Sequence, residues 1–324
     1  MGGANERENV KQLRRPHRYK KFIKWEPSTN IQPMENQTNN GLKPIAIYLL
    51  ITLAMSSIYY FLIIYSGTLG GGRGQYVMGL MWSPGISALL TMKILGRPLS
   101  GLGWKWGETK YLVWSYLIPI VYALIAYLVI WIAGWGGWYS KDMVSALTKS
   151  FGLGEIGDGA TIVFYIILLG IFGTIRSASS ALGEEIGWRG FLVPELYKNY
   201  GFTKTAVLSG LIWGTWHLPI LLFADYNSGT PSWYAMSCFM VLIVCMGFIY
   251  TWFRIKSGSL WTAVILHATH NLYIQNIFTP LTTDTGNTAY FVDEFGVVLP
   301  VVAIGFAFYY WNKRKELEPA LARG

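Results

Sequence analysis

The chain has 324 residues, of which 52% are hydrophobic and 13% are charged. This composition is too apolar and too poor in charge for an ordinary soluble domain, so the bilayer is the expected solvent. Membrane topology explains the formal net charge of +9 better than nucleic acid does, and no nucleic-acid partner is expected. We therefore expect an integral protein of the cell membrane, with the lipid bilayer as a partner.

The chain begins with a polar, basic stretch over residues 1–42. Its basic clusters are Arg14 with Arg15 and Lys20 with Lys21, and a segment rich in Pro, Asn, Thr and Gln follows them. Such a composition predicts a largely disordered tail. The basic clusters either mark the cytoplasmic side of the first helix or hold anionic lipid.

Apolar segments then follow one another to the end of the chain. A hydrocarbon core of about 30 Å requires roughly 20 apolar residues per helix. About eight segments meet this need: Pro44–Tyr65, Tyr76–Leu95, Tyr111–Trp135, Thr161–Ile175, Thr205–Ala224, Trp233–Phe253, Leu260–Phe278 and Phe295–Trp311. The fourth segment is short, and a single helix could continue from it through Ser177–Leu192.

Continuous apolar runs predict an all-α fold, because transmembrane strands would alternate apolar and polar residues. We expect a polytopic membrane protein with about eight transmembrane helices that enclose an intramembrane polar cavity. The transmembrane domain would span residues 43–312, and residues 313–324 would form a cytoplasmic C-terminal tail.

The distribution of basic residues predicts the orientation. In an eight-helix arrangement both termini share one side, and 23 of the 26 Lys and Arg residues fall on that side. Only Arg73, Lys141 and Lys149 fall on the other. Because cytoplasmic loops carry the excess of Lys and Arg, both termini are predicted to be cytoplasmic.

Three polar motifs interrupt the apolar segments. An ionisable group at the centre of a membrane helix costs about 2.5 to 3.5 kcal/mol on insertion scales, so each one calls for a functional explanation. The motifs are Gly183–Gly190, Trp213–His217 and His267–Asn271. Four nearby tryptophans are expected to pack or to line a gap towards lipid: Trp188, Trp213, Trp216 and Trp261.

In the first motif the two glutamates have different expected environments. On a helix, Glu185 and Arg189 are four residues apart and share a face, which favours a stabilising ion pair. Glu184 points about 100° away from Glu185 and about 140° away from Arg189. An unpaired carboxylate near the membrane is suited to accept a proton from water as a general base.

The histidines leave alternatives open. His217 alone could be either a hydrogen-bonded core residue or a catalytic one. His267 and Asn271 are four residues apart on one helical face, and an imidazole with an amide suits oxyanion stabilisation or metal ligation. His270 lies about 60° from His267 around the helix, so spacing does not decide which of the two turns inward.

Together, Glu184-Glu185 with Arg189, Trp213 to His217, and His267 with Asn271 resemble the type II CAAX prenyl protease and bacteriocin-processing family. That family's pattern is EExxxR, then FxxxH, then HxxxN, so the one departure is Trp213 in place of Phe. The resemblance covers roughly residues 160–275. Motifs of other membrane hydrolases, such as His-Glu-x-x-His and Gly-x-Ser-Gly, are absent from the sequence.

The resemblance implies peptide-bond hydrolysis inside a membrane cavity. By position, Glu184 would activate water, with His217, His267 and Asn271 around it. Glu185 and Arg189 would support these residues. The resemblance does not decide whether His217 and His267 hold a divalent metal such as zinc or whether the glutamate works without one.

The leading hypothesis is therefore a membrane-embedded endopeptidase that cuts a membrane-associated polypeptide, with a CAAX-type prenylated C-terminus as one option. Two alternatives have other functions. One is a non-catalytic scaffold or immunity protein of the same fold. The other is a proton-coupled transporter that uses the same Glu and His residues as a relay.

Overall fold

The computed structural model describes residues 41–67, 74–154, 156–224 and 226–317. Within these ranges the protein is helical, with no strand. The main helices are α1 (Lys43–Ser66), α2 (Gly74–Ile94), α3 (Thr109–Ile132), α4 (Lys141–Ser150), α5 (Asp158–Leu168), α6 (Thr174–Glu185), α7 (Val193–Phe223), α8 (Ser232–Ser257), α9 (Trp261–Asn271), α10 (Thr279–Leu281) and α11 (Val298–Lys313). Residues 1–40 of the predicted N-terminal tail (1–42) and residues 318–324 of the predicted C-terminal tail (313–324) lie outside the described residues.

The prediction of an all-α polytopic membrane protein is confirmed. Each of the eight apolar segments lies largely in helix. Among the described residues, five helices are long and apolar enough to cross a membrane: α1, α2, α3, α8 and the continuous helical stretch Asp158–Phe223. The number of spans beyond these five remains a prediction.

The stretch Asp158–Phe223 joins α5, α6 and α7 through two π-helical segments, Leu169–Gly173 and Ile186–Leu192. The fourth apolar segment therefore continues into the first polar motif, as the sequence left open. Gly201, with φ 66° and ψ −174°, interrupts the helical geometry inside α7. Because π-helical turns occur frequently at functional sites, the segment Ile186–Leu192 indicates that the residues beside it have a functional role.

Small residues allow α2 to lie close to the helix that carries the first motif. A Cβ atom at Gly183 would lie 2.7 Å from Cγ of Trp82, and one at Gly187 would lie 2.6 Å from Pro84. Small residues let membrane helices approach closely. Such packing matters because lipid tails are as apolar as the side chains, so burying apolar surface does not by itself drive the helices together. These contacts fix the position of the two glutamates between Gly183 and Gly187.

The connections contain helix α4, which the apolar pattern did not predict. Helix α4 begins after Ser140, whose hydroxyl accepts a hydrogen bond from the Met143 N–H at 3.2 Å. A second connection, between α10 and α11, brings Glu294 into the protein interior. Through this connection, Glu294 lines a cavity between the helices.

Candidate active site

A cavity of about 590 Å³ lies among α2, α6, α7, α8, α9 and the segment before α11. Its ionisable and amide-bearing lining includes Glu184, His217, His267, His270, Asn271 and Glu294. All four residues predicted to be catalytic from the resemblance therefore line one cavity. Glu185 and Arg189 do not line it and lie behind its wall, fully buried.

Glu184 is held by two tryptophans. Its Oε2 accepts a hydrogen bond from Nε1 of Trp213 at 2.8 Å and a longer one from Nε1 of Trp188 at 3.3 Å. The carboxylate forms no salt bridge with any described residue. Both indoles are neutral donors, so they orient the carboxylate without supplying a cation. These tryptophans thus do more than the packing that the sequence suggested.

Glu185 connects two motifs through one oxygen. Its Oε1 accepts from NH1 of Arg189 at 2.9 Å and from Nδ1 of His267 at 2.9 Å. The ion pair that the four-residue spacing predicted is present, and the contact with His267 was not predicted. Because Nδ1 of His267 carries the donated proton, Nε2 of His267 is the atom left for the cavity.

Arg189 is enclosed by aromatic rings. Its guanidinium carbon lies 4.1 Å from the ring centroids of both Trp213 and Tyr250. Nε and NH2 of Arg189 have no hydrogen-bond partner among the described residues. Cation–π contacts with two rings and the Glu185 carboxylate therefore stabilise this buried charge.

His217 is oriented by its own helix. Its Nδ1 donates to the carbonyl oxygen of Trp213 at 2.9 Å, because a carbonyl can only accept. The imidazole lies edge-on to Trp216, with ring centroids 4.7 Å apart, and against Phe239 at 4.9 Å. Its Nε2 has no hydrogen-bond partner among the described residues and can accept a proton or ligate.

His270 differs from His267 in having partners on both nitrogens. Nε2 of His270 donates to Oε1 of Glu294 at 2.7 Å, and the Tyr122 hydroxyl donates to Nδ1 at 2.5 Å. Both histidines line the cavity, which is why helical spacing could not separate them. Of these two histidines, His267 is the one with a ring nitrogen that has no described partner.

Sequence reasoning missed Glu294 and the tyrosines around it. Oε2 of Glu294 accepts from the Tyr226 hydroxyl at 3.3 Å. Asp293 and Glu294 are adjacent carboxylates between the last two apolar segments, and this pair was the available signal. Their distance from the three motifs along the chain gave no indication that Glu294 would bind His270.

The side chains that line the cavity include too few converging ligands for a divalent metal among the described residues. Catalytic zinc sites use about three protein ligands. Across residues 41–67, 74–154, 156–224 and 226–317, no group of three or more His, Cys, Asp or Glu side chains converges closely enough to hold a metal ion. The described arrangement therefore does not supply a zinc ligand set.

Two comparisons with known proteins agree with this site. Residues 159–273 match the model of the family described as Type II CAAX prenyl endopeptidase Rce1-like. A protein of Methanococcus maripaludis named CAAX prenyl protease 2 is 30% identical over 134 residues, which cover 40% of this chain and 45% of the relative. The chain thus aligns with less than half of that relative's length. Residues 159–273, which carry the first two motifs and His267 with Asn271, are therefore similar to the family described as Type II CAAX prenyl endopeptidase Rce1-like.

Proposed function

We propose that this protein is a membrane-embedded endopeptidase in which Glu184 activates water to hydrolyse a peptide bond of a membrane-associated polypeptide. The observation that supports this most directly is the environment of Glu184. The carboxylate borders a cavity of about 590 Å³, and two indole N–H groups hold it in the absence of a described cationic partner. The name of the Methanococcus maripaludis relative suggests a CAAX-type C-terminus as the substrate.

Glu184 has the bonding pattern of a general base. Both indole hydrogen bonds go to Oε2, so Oε1 has no described protein partner and is available to a water molecule. A carboxylate in salt-bridge contact with arginine would be a weaker base, because the cation stabilises its ionised form. Glu185 is in that situation and Glu184 is not.

In the proposed reaction, one proton passes from water to Glu184 and then from Glu184 to the departing amine. Glu184 removes a proton from water as the water oxygen bonds to the scissile carbonyl carbon, and the carbonyl oxygen becomes an oxyanion. When the C–N bond breaks, the protonated Glu184 gives its proton to the departing amine. Proton transfer of this kind contributes about 10²- to 10⁴-fold to a reaction rate.

His267 and Asn271 are proposed to stabilise the oxyanion. Both line the cavity beside Glu184, and Nδ1 of His267 is fixed by Glu185. A proton on Nε2 of His267 and the Asn271 amide would then be the donors. His217, whose Nε2 has no partner among the described residues, is proposed to hold the attacking water or the departing amine.

Glu185 and Arg189 are proposed to be positioning residues. Neither lines the cavity, and both act through His267 and Trp213. The buried ion pair holds the imidazole in one orientation, in the way that a third group orients the base in other hydrolases.

The test is to purify wild type and Glu184→Gln and to measure cleavage of a lipid-anchored peptide in liposomes. The amide keeps size and accepts the indole hydrogen bonds through its oxygen but cannot take a proton from water. We expect a loss of about 10²- to 10⁴-fold in kcat with the fold retained. Near-normal cleavage by Glu184→Gln would remove Glu184 as the base.

Glu195→Gln is the matched control, because Glu195 is also a buried glutamate but pairs with Arg97 and Lys198 away from the cavity. Its catalytic rate should stay close to that of wild type. A flux assay on the same liposomes separates the alternatives, since solute transport without cleavage would indicate a transporter.

A further inference from the structure

A groove of about 840 Å³ runs along α3, α8 and α11, and the mechanism above does not use it. None of the described residues that line this groove also lines the cavity of Glu184. Trp252 and Phe253 are buried and form its floor, whereas Trp114 and Val301 at its edges are 53% and 60% exposed. The groove is therefore open to the surroundings of the helices and is not enclosed between them.

The length of the groove is that of one bilayer leaflet. Lys110 and Ile125 line it from α3, and the helix between them is about 22 Å long. Val301 and Lys313 line it from α11 and are about 18 Å apart along the helix. A leaflet with its headgroups is roughly 20 Å thick, because the whole bilayer measures about 40 to 45 Å. A phospholipid therefore has the right length to lie along the groove.

One end of the groove is aromatic and basic. The ring centroid of Trp252 lies 6.1 Å from that of Tyr111 and 5.2 Å from Nζ of Lys313. Lys110 directly precedes Tyr111, so both lysines lie at this end. Nζ of Lys313 also lies 5.2 Å from the ring centroid of Tyr309. Because Tyr and Trp rings favour the headgroup region and lysine side chains extend towards it, this end is expected at the membrane interface.

The helix ends around the two lysines carry more cations than carboxylates. The carboxylates are Glu108 and Glu316, and the cations are Lys110, Lys256, Lys313, Arg314 and Lys315. The Glu316 carboxylate lies 3.6 Å from the ammonium groups of Lys256 and Lys313, which is longer than a hydrogen bond. Glu108 pairs with Lys110 at 2.7 Å, but both side chains are more than half exposed, and such pairs contribute little. An excess of positive charge is therefore available to an anionic group.

The rest of the groove is apolar, and a glycine keeps it wide. A Cβ atom at Gly305 would have no neighbouring atom within 4 Å. Around this glycine, the walls are formed by Ile118, Ile125, Val302 and Phe306. Lipid tails are as apolar as these side chains, so acyl chains suit this part of the groove.

We propose that this groove binds one anionic phospholipid, with its phosphate at Lys110 and Lys313 and its acyl chains along Gly305. Basic pockets between membrane helices are suited to anionic headgroups, and the apolar walls match the other part of the same molecule. A neutral phospholipid with the same chains should bind more weakly, because its headgroup carries no net charge. The site is independent of the proposed function, since no described residue lines both the groove and the cavity of Glu184.

The experiment compares phosphatidylglycerol with phosphatidylcholine of identical acyl chains by native mass spectrometry of the full-length protein in detergent. We expect one tightly bound phosphatidylglycerol and an affinity about 10- to 30-fold higher than that for phosphatidylcholine, as two lysines near a phosphate predict. The double variant Lys110→Gln with Lys313→Gln should remove this preference. Equal affinity for the two lipids in wild type, or a preference that survives in the double variant, would overturn the proposal.

The matched control for charge is Lys141→Gln with Lys149→Gln. These two lysines are exposed, lie on α4 and do not line the groove, so the variant loses the same charge and should keep the preference. The double variant Lys110→Arg with Lys313→Arg should also keep it. This variant covers the case in which the glutamine variant fails to fold.

Filling the groove tests the position of the acyl chains without changing charge. Gly305→Phe should weaken binding of both lipids by about 10-fold or more, because the ring occupies the space beside α3. Gly159→Phe is the matched control, since Gly159 is also a helical glycine with no neighbouring atom within 4 Å but does not line the groove. Unchanged lipid binding by Gly305→Phe would overturn the proposal. A lipid-free dimer that Gly305→Phe dissociates would also overturn it and would indicate a second copy of the chain in the groove.

Discussion

Trp213 and Glu184 join the first two motifs: the indole Nε1 lies 2.8 Å from Oε2 of the carboxylate. The same residue holds His217 through its carbonyl oxygen and stacks on Arg189 with 4.1 Å between guanidinium carbon and ring centroid. Phenylalanine, which the family pattern has at this position, could stack on the arginine but could not donate to the glutamate. The departure from the pattern therefore adds a hydrogen bond to the proposed base.

We predict that Trp213→Phe lowers cleavage about 10-fold while the protein remains folded. The ring that contacts Arg189 is retained, and the hydrogen bond to a charged group, typically worth about 1.5 to 3 kcal/mol, is lost. Cleavage of a model peptide and thermal melting in detergent would measure both effects. Trp188→Phe is the comparison, because its bond to Glu184 is longer at 3.3 Å and its loss should matter less. Wild-type activity in Trp213→Phe would show that this bond does not orient the base.

The buried pair of Glu185 and Arg189 should couple stability to activity. Arg189→Gln leaves a buried carboxylate without its cation, and breaking such a pair costs about 3 to 5 kcal/mol. The double variant Glu185→Gln with Arg189→Gln should be more stable than Arg189→Gln, because neither charge is then left unpaired. It should still cleave poorly, since His267 loses the carboxylate that orients it. Unfolding curves of the three variants provide the measurement, and additive losses would argue against the coupling.

His267 and His270 should respond differently to replacement. His267→Ala removes the proposed oxyanion donor, so we expect a large loss of kcat with a smaller effect on folding. His270→Ala leaves Glu294 and Tyr122 without their shared partner, so we expect mainly a lower melting temperature. Adding Glu294→Gln to His270→Ala should restore part of the stability. Equal kinetic losses in the two single variants would show that the assignment of His267 over His270 is wrong.

Metal binding can be tested independently of activity. A divalent metal ion such as zinc would use the free Nε2 atoms of His217 and His267, because both nitrogens of His270 are engaged. Because these two imidazoles fall short of the about three protein ligands of a catalytic zinc site, we expect elemental analysis of the purified protein to show no stoichiometric zinc. Zinc that did bind through them would be lost in His217→Ala and His267→Ala and kept in His270→Gln. Active protein that contains no metal would support water activation by Glu184 alone.

The orientation in the membrane remains a prediction from the 23 basic residues assigned to one side. Reporter fusions after residue 324 should be active in the cytoplasm. A fusion in the loop near Lys141 should report the opposite side. Reporter activity only outside the cell for the C-terminal fusion would overturn the eight-helix topology.

The sequence by itself determined the all-α membrane fold and the ion pair of Glu185 with Arg189. The thickness of the bilayer dictates runs of about 20 apolar residues, and these are visible without any knowledge of packing. The pair is visible because residues four apart on a helix meet whatever surrounds them. The three motifs could also be recognised in the sequence, because ionisable groups stand out in apolar segments.

Only the tertiary structure decided how the motifs meet. Helix periodicity shows which residues share a face of one helix, but contacts between helices depend on crossing angles and close packing at small residues such as Gly183 and Gly187. Glu185 therefore reached His267, 82 residues away, without a sequence signal. Glu294 contacts His270 from a connecting segment without periodic apolar residues, so nothing in the sequence indicated its position.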